Sequence, residues 1–456
     1  MTAVHSADAT VRGWTLPPSW PVWAATAAYP VWWALGVTTI IYPLLVLPLS
    51  FYLYRMRPLK LPRGWLLGAM FLGLVLVSSV MLNVDAPATA VQHGIGPYGA
   101  YVLRFLGYAS AAMLMLYVGN QSERVLPVRT VVVAMSVLGG AVGLLGLAGT
   151  FFQSFSFRAP ASYFLPSILV GNGQVSLAQV QDILGEAAPR PSAPFDYTNT
   201  WGEVLSMLLV WMAVHAIASR RGKRLAILAI VALSAVPILA SLNRGVWIGI
   251  ILTIAYVAVR LALRGRLALV ACIVVAAAVG GGALAVTSAG DLIQSRVETG
   301  HSDEIRENLA ADSIRLATDS PIIGYGSTRR TQGSYESIAI GPSADCTQCG
   351  ERVIGSTGQL WLLLVAQGWL GTGLYFGFFL YNAWRYRKDN SPVGIAASTV
   401  VLLSVFYSYF YSALGAPLTL TMLAVALLWR NDQERRRQVL APDALGAFTL
   451  KEFLDA

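Results

Sequence analysis

Three ionisable side chains, Arg104, Glu203 and Arg244, fall inside long apolar stretches of the 456-residue sequence or at their edges. A charge is costly in hydrocarbon and is usually kept there only where it faces a cavity or serves a site. A guanidinium offers a planar fork of donors suited to phosphate oxygens, and a buried carboxylate can accept a proton. Two more arginines, Arg306 and Arg315, lie in the longest polar segment, residues 287–357. Within it, residues 302–318 read as an amphipathic helix. Ile305, Leu309 and Leu316 supply apolar anchors, Asp303 and Glu304 suit its positive start, and Pro321 and Gly324 follow its end. Nine positions at about 100° per residue put Arg306 and Arg315 on opposite faces, so they do not hold one ligand together.

The same segment carries Cys346 and Cys349, spaced Cys-x-x-Cys, whereas Cys272 is buried in an apolar stretch. On an oxidising face of a membrane such a pair reads as a structural disulfide. Zinc needs about four ligands, and His301 alone does not complete a set, so no metal site is expected. His93 and His301 read as solvated loop residues with the option of shuttling a proton, and His215 as a packed or interfacial side chain.

These residues must be positioned by membrane helices. The chain is 56% hydrophobic and 12% charged, with a mean hydropathy of +0.60, far from a globular composition in which roughly a quarter of residues are charged. That excludes a soluble enzyme, a disordered scaffold and a nucleic-acid binder, despite a net charge of +9. Crossing a bilayer takes about 20 apolar residues. Ten runs qualify: 64–82, 99–119, 131–152, 199–218, 225–240, 245–259, 267–286, 358–381, 393–411 and 416–428. Before them, residues 22–54 are apolar but interrupted by Pro30, Gly36, Pro43 and Pro48. At about 1.5 Å per residue that stretch suits either one kinked crossing or a hairpin of short helices. The expected fold is therefore an all-α membrane protein of 11–12 transmembrane helices with one large extracytoplasmic loop subdomain between late helices.

Lys and Arg mark sidedness. Alternate connections and the carboxyl tail hold 21 of the 32 basic residues, and the intervening connections, which include the three longest, hold 9. The long loops are thus expected outside the cytoplasm. The implied organisation is a nearly uncharged leader without a cleavable signal (1–21), a first group of membrane helices (22–286), the loop subdomain (287–357), a last group (358–429) and a cytoplasmic tail (430–456). Arg104, Glu203 and Arg244 all lie towards the extracytoplasmic ends of their helices. A transporter would be expected to place such groups near the bilayer midplane.

Three blocks on that face resemble the superfamily of O-antigen ligases and O-antigen polymerases. The first, Arg190-Pro-Ser-Ala-Pro-Phe-Asp-Tyr-Thr-Asn199, is similar to the family's Arg-x-x-Gly-x-Phe-x-x-Pro-Asn, with Ala193 and Thr198 in place of Gly and Pro. The second, Ser241-Leu-Asn-Arg-Gly-Val-Trp247, is similar to Ser-Arg-Gly-x-Trp, with Asn243 where Ser is usual. The third runs from Arg306 to Asp319-Ser-Pro-Ile-Ile-Gly-Tyr-Gly326, with Ala310 where a Trp is common. The resemblance extends over about residues 60–430. A His-Asn pair usual in the ligases is replaced by Thr357 and Gly358, which favours a polymerase or a divergent transferase.

The resemblance implies a metal-independent, cofactor-free, inverting glycosyltransferase of the bacterial plasma membrane. Its donor would be a glycan on undecaprenyl diphosphate and its acceptor the hydroxyl of a glycan or glycolipid. It implies that Arg244 and Arg306 bind the diphosphate, supported by Arg190, Asn199 and Arg104. Glu203, four residues beyond Asn199 and on the same helical face, is the candidate base. The competing readings are a structural partner to Arg104 or Arg244 for Glu203, and interfacial snorkelling for Arg244. At the level of the whole chain they are a lipid-linked oligosaccharide flippase or exporter, or a non-catalytic envelope scaffold. Single-cysteine reporters placed in residues 287–357 should react with an impermeant thiol reagent on intact cells, and reporters after Arg430 should not. The reverse pattern would overturn the sidedness.

Overall fold

The structure is a computed structural model, and it describes residues 16–171, 173–182, 187–285, 301–332 and 352–440. Every expected apolar run is a helix. The first stretch resolves into two short helices, α1 (Trp20–Ala25) and α2 (Tyr29–Leu35), leading into one long helix, α3 (Thr38–Arg55). Gly36 ends α2 in the left-handed region, its N–H returning to the Trp32 and Trp33 carbonyls, as glycine does most cheaply. There follow α4 (Trp65–Val77), continued by a 3₁₀ turn (Ser78–Met81), then α5 (Gly96–Asn120), α6 (Val128–Phe151), the one-turn α7 (Ser167–Val170), α8 (Thr198–Ile217), α9 (Arg221–Leu233), α10 (Ala235–Ala240), α11 (Arg244–Ala262) and α12 (Leu267–Ala285). The loop helix α13 (His301–Asp319) precedes α14 (Gln359–Arg385), α15 (Pro392–Tyr407) and α16 (Ala416–Leu440).

The architecture is that of an all-α membrane protein. Among the described residues six helices are long and apolar enough to cross a bilayer: α5, α6, α8, the pair α9 and α10 taken together, α11 and α14. The helix of residues 65–81 and α15 are apolar but shorter. Prolines 43 and 48 lie inside α3, and α16 turns polar after Trp429. Not expected from the apolar pattern are three two-stranded antiparallel pairs in the connections: β1 (Ser156–Arg158) with β2 (Gln174–Ser176), β3 (Ala178–Asp182) with β4 (Ala187–Pro191), and β5 (Arg329–Arg330) with β6 (Val353–Ile354).

α6 packs on α8, α3 on α5, and α16 on both α5 and α15. In α8 and α14, 72% of the apolar window is buried, against 22% in α11 and 11% in α9 with α10. The first two form the centre, and the others present their side chains outward, where lipid tails belong. Cys272, expected to be buried, is exposed on α12 for this reason. Cys346 and Cys349 lie outside the described residues, as does the tail after residue 440.

The connections segregate to two ends of the bundle. At the arginine-rich end, Arg430 pairs with Glu123 at 2.7 Å, Arg435 with Asp389 at 3.2 Å, and Arg260 donates to the Asp389 carbonyl at 2.6 Å and to Asn390 Oδ1 at 2.8 Å. At the other end the first long connection joins the loop subdomain through a Thr89–Thr331 bridge. There the buried Arg329 donates to the carbonyls of Met81 (2.9 Å), Val84 (3.2 Å) and Tyr325 (2.9 Å), closing the end of the α4 turn.

The loop helix forms as its periodicity requires. Leu309 and Leu316 are buried in a small core with Ala86, Tyr325, Ile354 and Val365. Ala310 packs against Trp361 and Leu364, so a bulky ring at this place comes from α14. The Ser320–Gly326 stretch then docks into a break in α14. Gly368 has φ +64°, which frees the backbone there. Tyr325 and Gly326 donate their N–H groups to the Val365 and Ala366 carbonyls at 2.8 Å each, and Leu370 donates to the Pro321 carbonyl at 3.1 Å. A Cβ at Gly368 would lie 2.6 Å from the Ser320 and Pro321 carbonyl oxygens, and at Gly373 it would meet nothing within 4 Å. Gly368→Ala should therefore destabilise the protein by about 2–4 kcal/mol, with a clear fall in the thermal unfolding midpoint in detergent. Gly373→Ala should leave the midpoint level or raise it; equal midpoints for the two variants would refute the docking.

Candidate functional site

The candidate residues meet where the loop end of the bundle narrows onto Tyr411, in the turn between α15 and α16. Asn243 precedes α11, and its side chain accepts from the Val246 N–H at 3.4 Å, satisfying one of the unpaired donors of the first turn. Its Nδ2 donates to Asn199 Oδ1 on α8 at 3.3 Å, and its Oδ1 also accepts from the Tyr411 hydroxyl. This contact exists because of Gly245: any Cβ there would overlap the Tyr411 hydroxyl. One turn on, a Cβ at Gly249 would overlap the hydroxyl of Tyr407. The two tyrosine rings stack with centroids 5.4 Å apart, and Tyr407 shares a 2.8 Å hydrogen bond with Ser206 of α8. The glycines of the Asn-Arg-Gly block thus let α11 close on α15.

Glu203, one turn into α8 from Asn199, is fully buried, and neither carboxyl oxygen has a hydrogen-bond partner among the described residues. Tyr375, Tyr407 and Tyr411 lie close enough to interact with it electrostatically. The same Tyr411 hydroxyl lies within the fields of Arg190 and Arg306. Arg190, on β4, is buried and donates through Nε to the Ser241 carbonyl. This ties the first block to the second. Arg306, in the first half of α13, is half-buried, whereas Arg315 is exposed and pairs with Asp312 at 2.8 Å. The opposite placement of these two arginines is the one their spacing requires.

Arg244 is the first residue of α11, half-buried, between Asn243 and Gly245, both of which meet Tyr411. Arg104 stands further off. Its Nη1 donates to Ser327 Oγ at 3.4 Å, and it acts on Tyr108, whose hydroxyl accepts from Gln359 Nε2 at 2.7 Å. Gln359 in turn donates its N–H to the Tyr411 carbonyl at 2.8 Å. Arg104 therefore reaches the site through two intermediaries, and among the described residues no ion pair joins it or Arg244 to Glu203.

The position matching the ligases' asparagine is closed. A Cβ at Gly358 would come within 2.6 Å of the Tyr409 carbonyl oxygen and 2.8 Å of that of Ser408. His93 pairs with Asp85 at 3.0 Å on an exposed loop, and His215 bonds Ser136 at 2.9 Å, both apart from this site. His301 has no described side chain. Among the described residues no three His, Cys, Asp or Glu side chains gather to hold a metal. Outside the spans, burial pushes the Arg329 guanidinium below its ordinary value, partly offset by Tyr325 and Asp85.

Sequence reasoning missed Tyr411, Tyr407, Tyr375 and Gln359. The visible signal was Gly245 and Gly249, one helical turn apart, which mark a face where another element comes close.

A multi-pass helical membrane protein with a cluster of charged groups at one end is what fold and site define. Residues 229–345 match the family model described as O-antigen ligase. The match spans about a quarter of the chain, includes the second and third blocks, and makes that region similar to the O-antigen ligases. No curated protein and no solved structure matches the chain.

Proposed function

We propose that the protein is a glycosyltransferase that moves a glycan from undecaprenyl diphosphate to an acceptor hydroxyl at the outer face of the bacterial plasma membrane. The observation that carries this reading is the buried contact of Tyr411 with Asn243, the residue before Arg244; Asn243 also reaches Asn199, one turn before Glu203, while Arg190 is tied to Ser241 of the same block. In the reaction the acceptor oxygen attacks the anomeric carbon as the bond from that carbon to the diphosphate oxygen breaks. The leaving diphosphate gains negative charge, which Arg244 and Arg306 neutralise through forked, charge-assisted hydrogen bonds in a water-poor site. The acceptor's proton passes to Glu203, a buried carboxylate with no competing partner. Attack from the face opposite the leaving group inverts the anomeric centre, and the arginines do the work that would otherwise need a metal.

The absence of space for a side chain at position 358 favours a polymerase or divergent transferase over a ligase using a His-Asn pair. A flippase would need a charged path reaching both faces. Here the cluster belongs to one end, and the buried arginines at the other, Arg260 and Arg430, are engaged with Asp389, Asn390 and Glu123.

In purified protein supplied with a lipid-diphosphate-linked oligosaccharide, Arg244→Ala and Arg306→Ala should each lose about 3 kcal/mol of transition-state stabilisation, a rate loss of about a hundredfold. The corresponding Lys variants should recover part of it, since they keep the charge and lose the fork. Arg315→Ala, on the exposed face of α13, should behave as wild type. Glu203→Gln should give no product at normal protein abundance. Full activity in Arg306→Ala would remove the diphosphate clamp, and equal losses in Arg306→Ala and Arg315→Ala would reduce it to general loop charge.

A further inference from the structure

We propose that Tyr411 is the positioning residue for the Arg244 guanidinium, acting through Asn243. The inference rests on the reading above, in which Arg244 meets the diphosphate. Three observations fix Tyr411 as a reference point. Its carbonyl accepts from the Gln359 N–H at 2.8 Å, which anchors it to the start of α14. Its ring stacks on Tyr407, with centroids 5.4 Å apart. Its hydroxyl donates to Asn243 Oδ1 in a buried contact made possible by Gly245.

Asn243 is the residue through which that anchoring passes. Its Oδ1 takes the Tyr411 hydroxyl on one side and the Val246 N–H on the other, and its Nδ2 reaches Asn199. With both ends of the amide engaged, the side chain cannot rotate without losing a buried hydrogen bond, at a cost comparable to an unsatisfied polar group. The direction in which α11 begins is thereby set, and Arg244 is its first residue. Tyr411 thus orients a fork of donors against a charge that develops only as the leaving group departs. A misoriented fork costs most at that moment and little in the ground state.

The test is steady-state kinetics of the purified full-length protein with a lipid-diphosphate-linked oligosaccharide as donor. Tyr411→Phe should lower kcat about tenfold with donor KM within twofold of wild type. Placed in the Arg244→Ala background, it should lower the rate no further, because it acts through the arginine already removed. Tyr117→Phe, which gives up a 2.6 Å hydroxyl bond to the Pro18 carbonyl elsewhere on the bundle, serves as the control and should show wild-type kinetics. If Tyr411→Phe does not accumulate, Gly245→Ala makes the same test from the other side, since its Cβ displaces the hydroxyl. Multiplicative losses in the double variant, or full activity in Tyr411→Phe, would overturn the proposal and leave the diphosphate reading standing. Wild-type activity in Arg244→Ala would remove that reading, and this proposal with it.

Discussion

A helix in hydrocarbon cannot leave backbone groups unpaired, because no water is there to take them. The break at Gly368 in α14 is therefore tolerable only with partners supplied from elsewhere, and Pro321, Tyr325 and Gly326 supply them. The arrangement is mutual. The loop subdomain has a small core, and its hold on the bundle comes largely from completing the broken helix and from Arg329, which closes the end of the turn after α4. The placement of α13, and so of Arg306, follows from this exchange of hydrogen bonds.

The second constraint is close approach. Gly245 and Gly249 remove two side chains from one face of α11, and the space is taken by the hydroxyls of Tyr411 and Tyr407. Gly202 does the same on α8, where a Cβ would overlap Val246. Three elements meet with little between them, so polar groups from α8, α11 and the turn before α16 reach one another in a buried setting. The Asn-Arg-Gly sequence is thus one structural device: an asparagine that caps and links, an arginine at the first helical position, and a glycine that admits the tyrosine.

Much of this was legible before any coordinates. Ten apolar runs became helices because hydropathy over about 20 residues reports burial in lipid or core with little ambiguity. The loop helix was legible because Leu309 and Leu316 recur at helical spacing among charges. The break at Gly368 was not, since hydropathy runs unchanged across it and its cause lies far away in the loop, at Pro321, Tyr325 and Gly326. Nor were the strands, which span two to five residues and are paired through connections rather than by alternation. Arg190 and Asn199 were found by resemblance alone. Tyr411 was hidden because a tyrosine at the end of an apolar run has the ordinary appearance of an interfacial anchor.

The mechanics of α11 follow from where it is held. Its buried positions are Val246 and Gly249 near one end and Arg260 at the other, the last tied to Asp389 and Asn390. Between them the helix has no buried residue. It is a beam held at both ends, with its middle third facing outward. The contacts that set where α11 begins therefore lie at its own end, apart from the exposed middle.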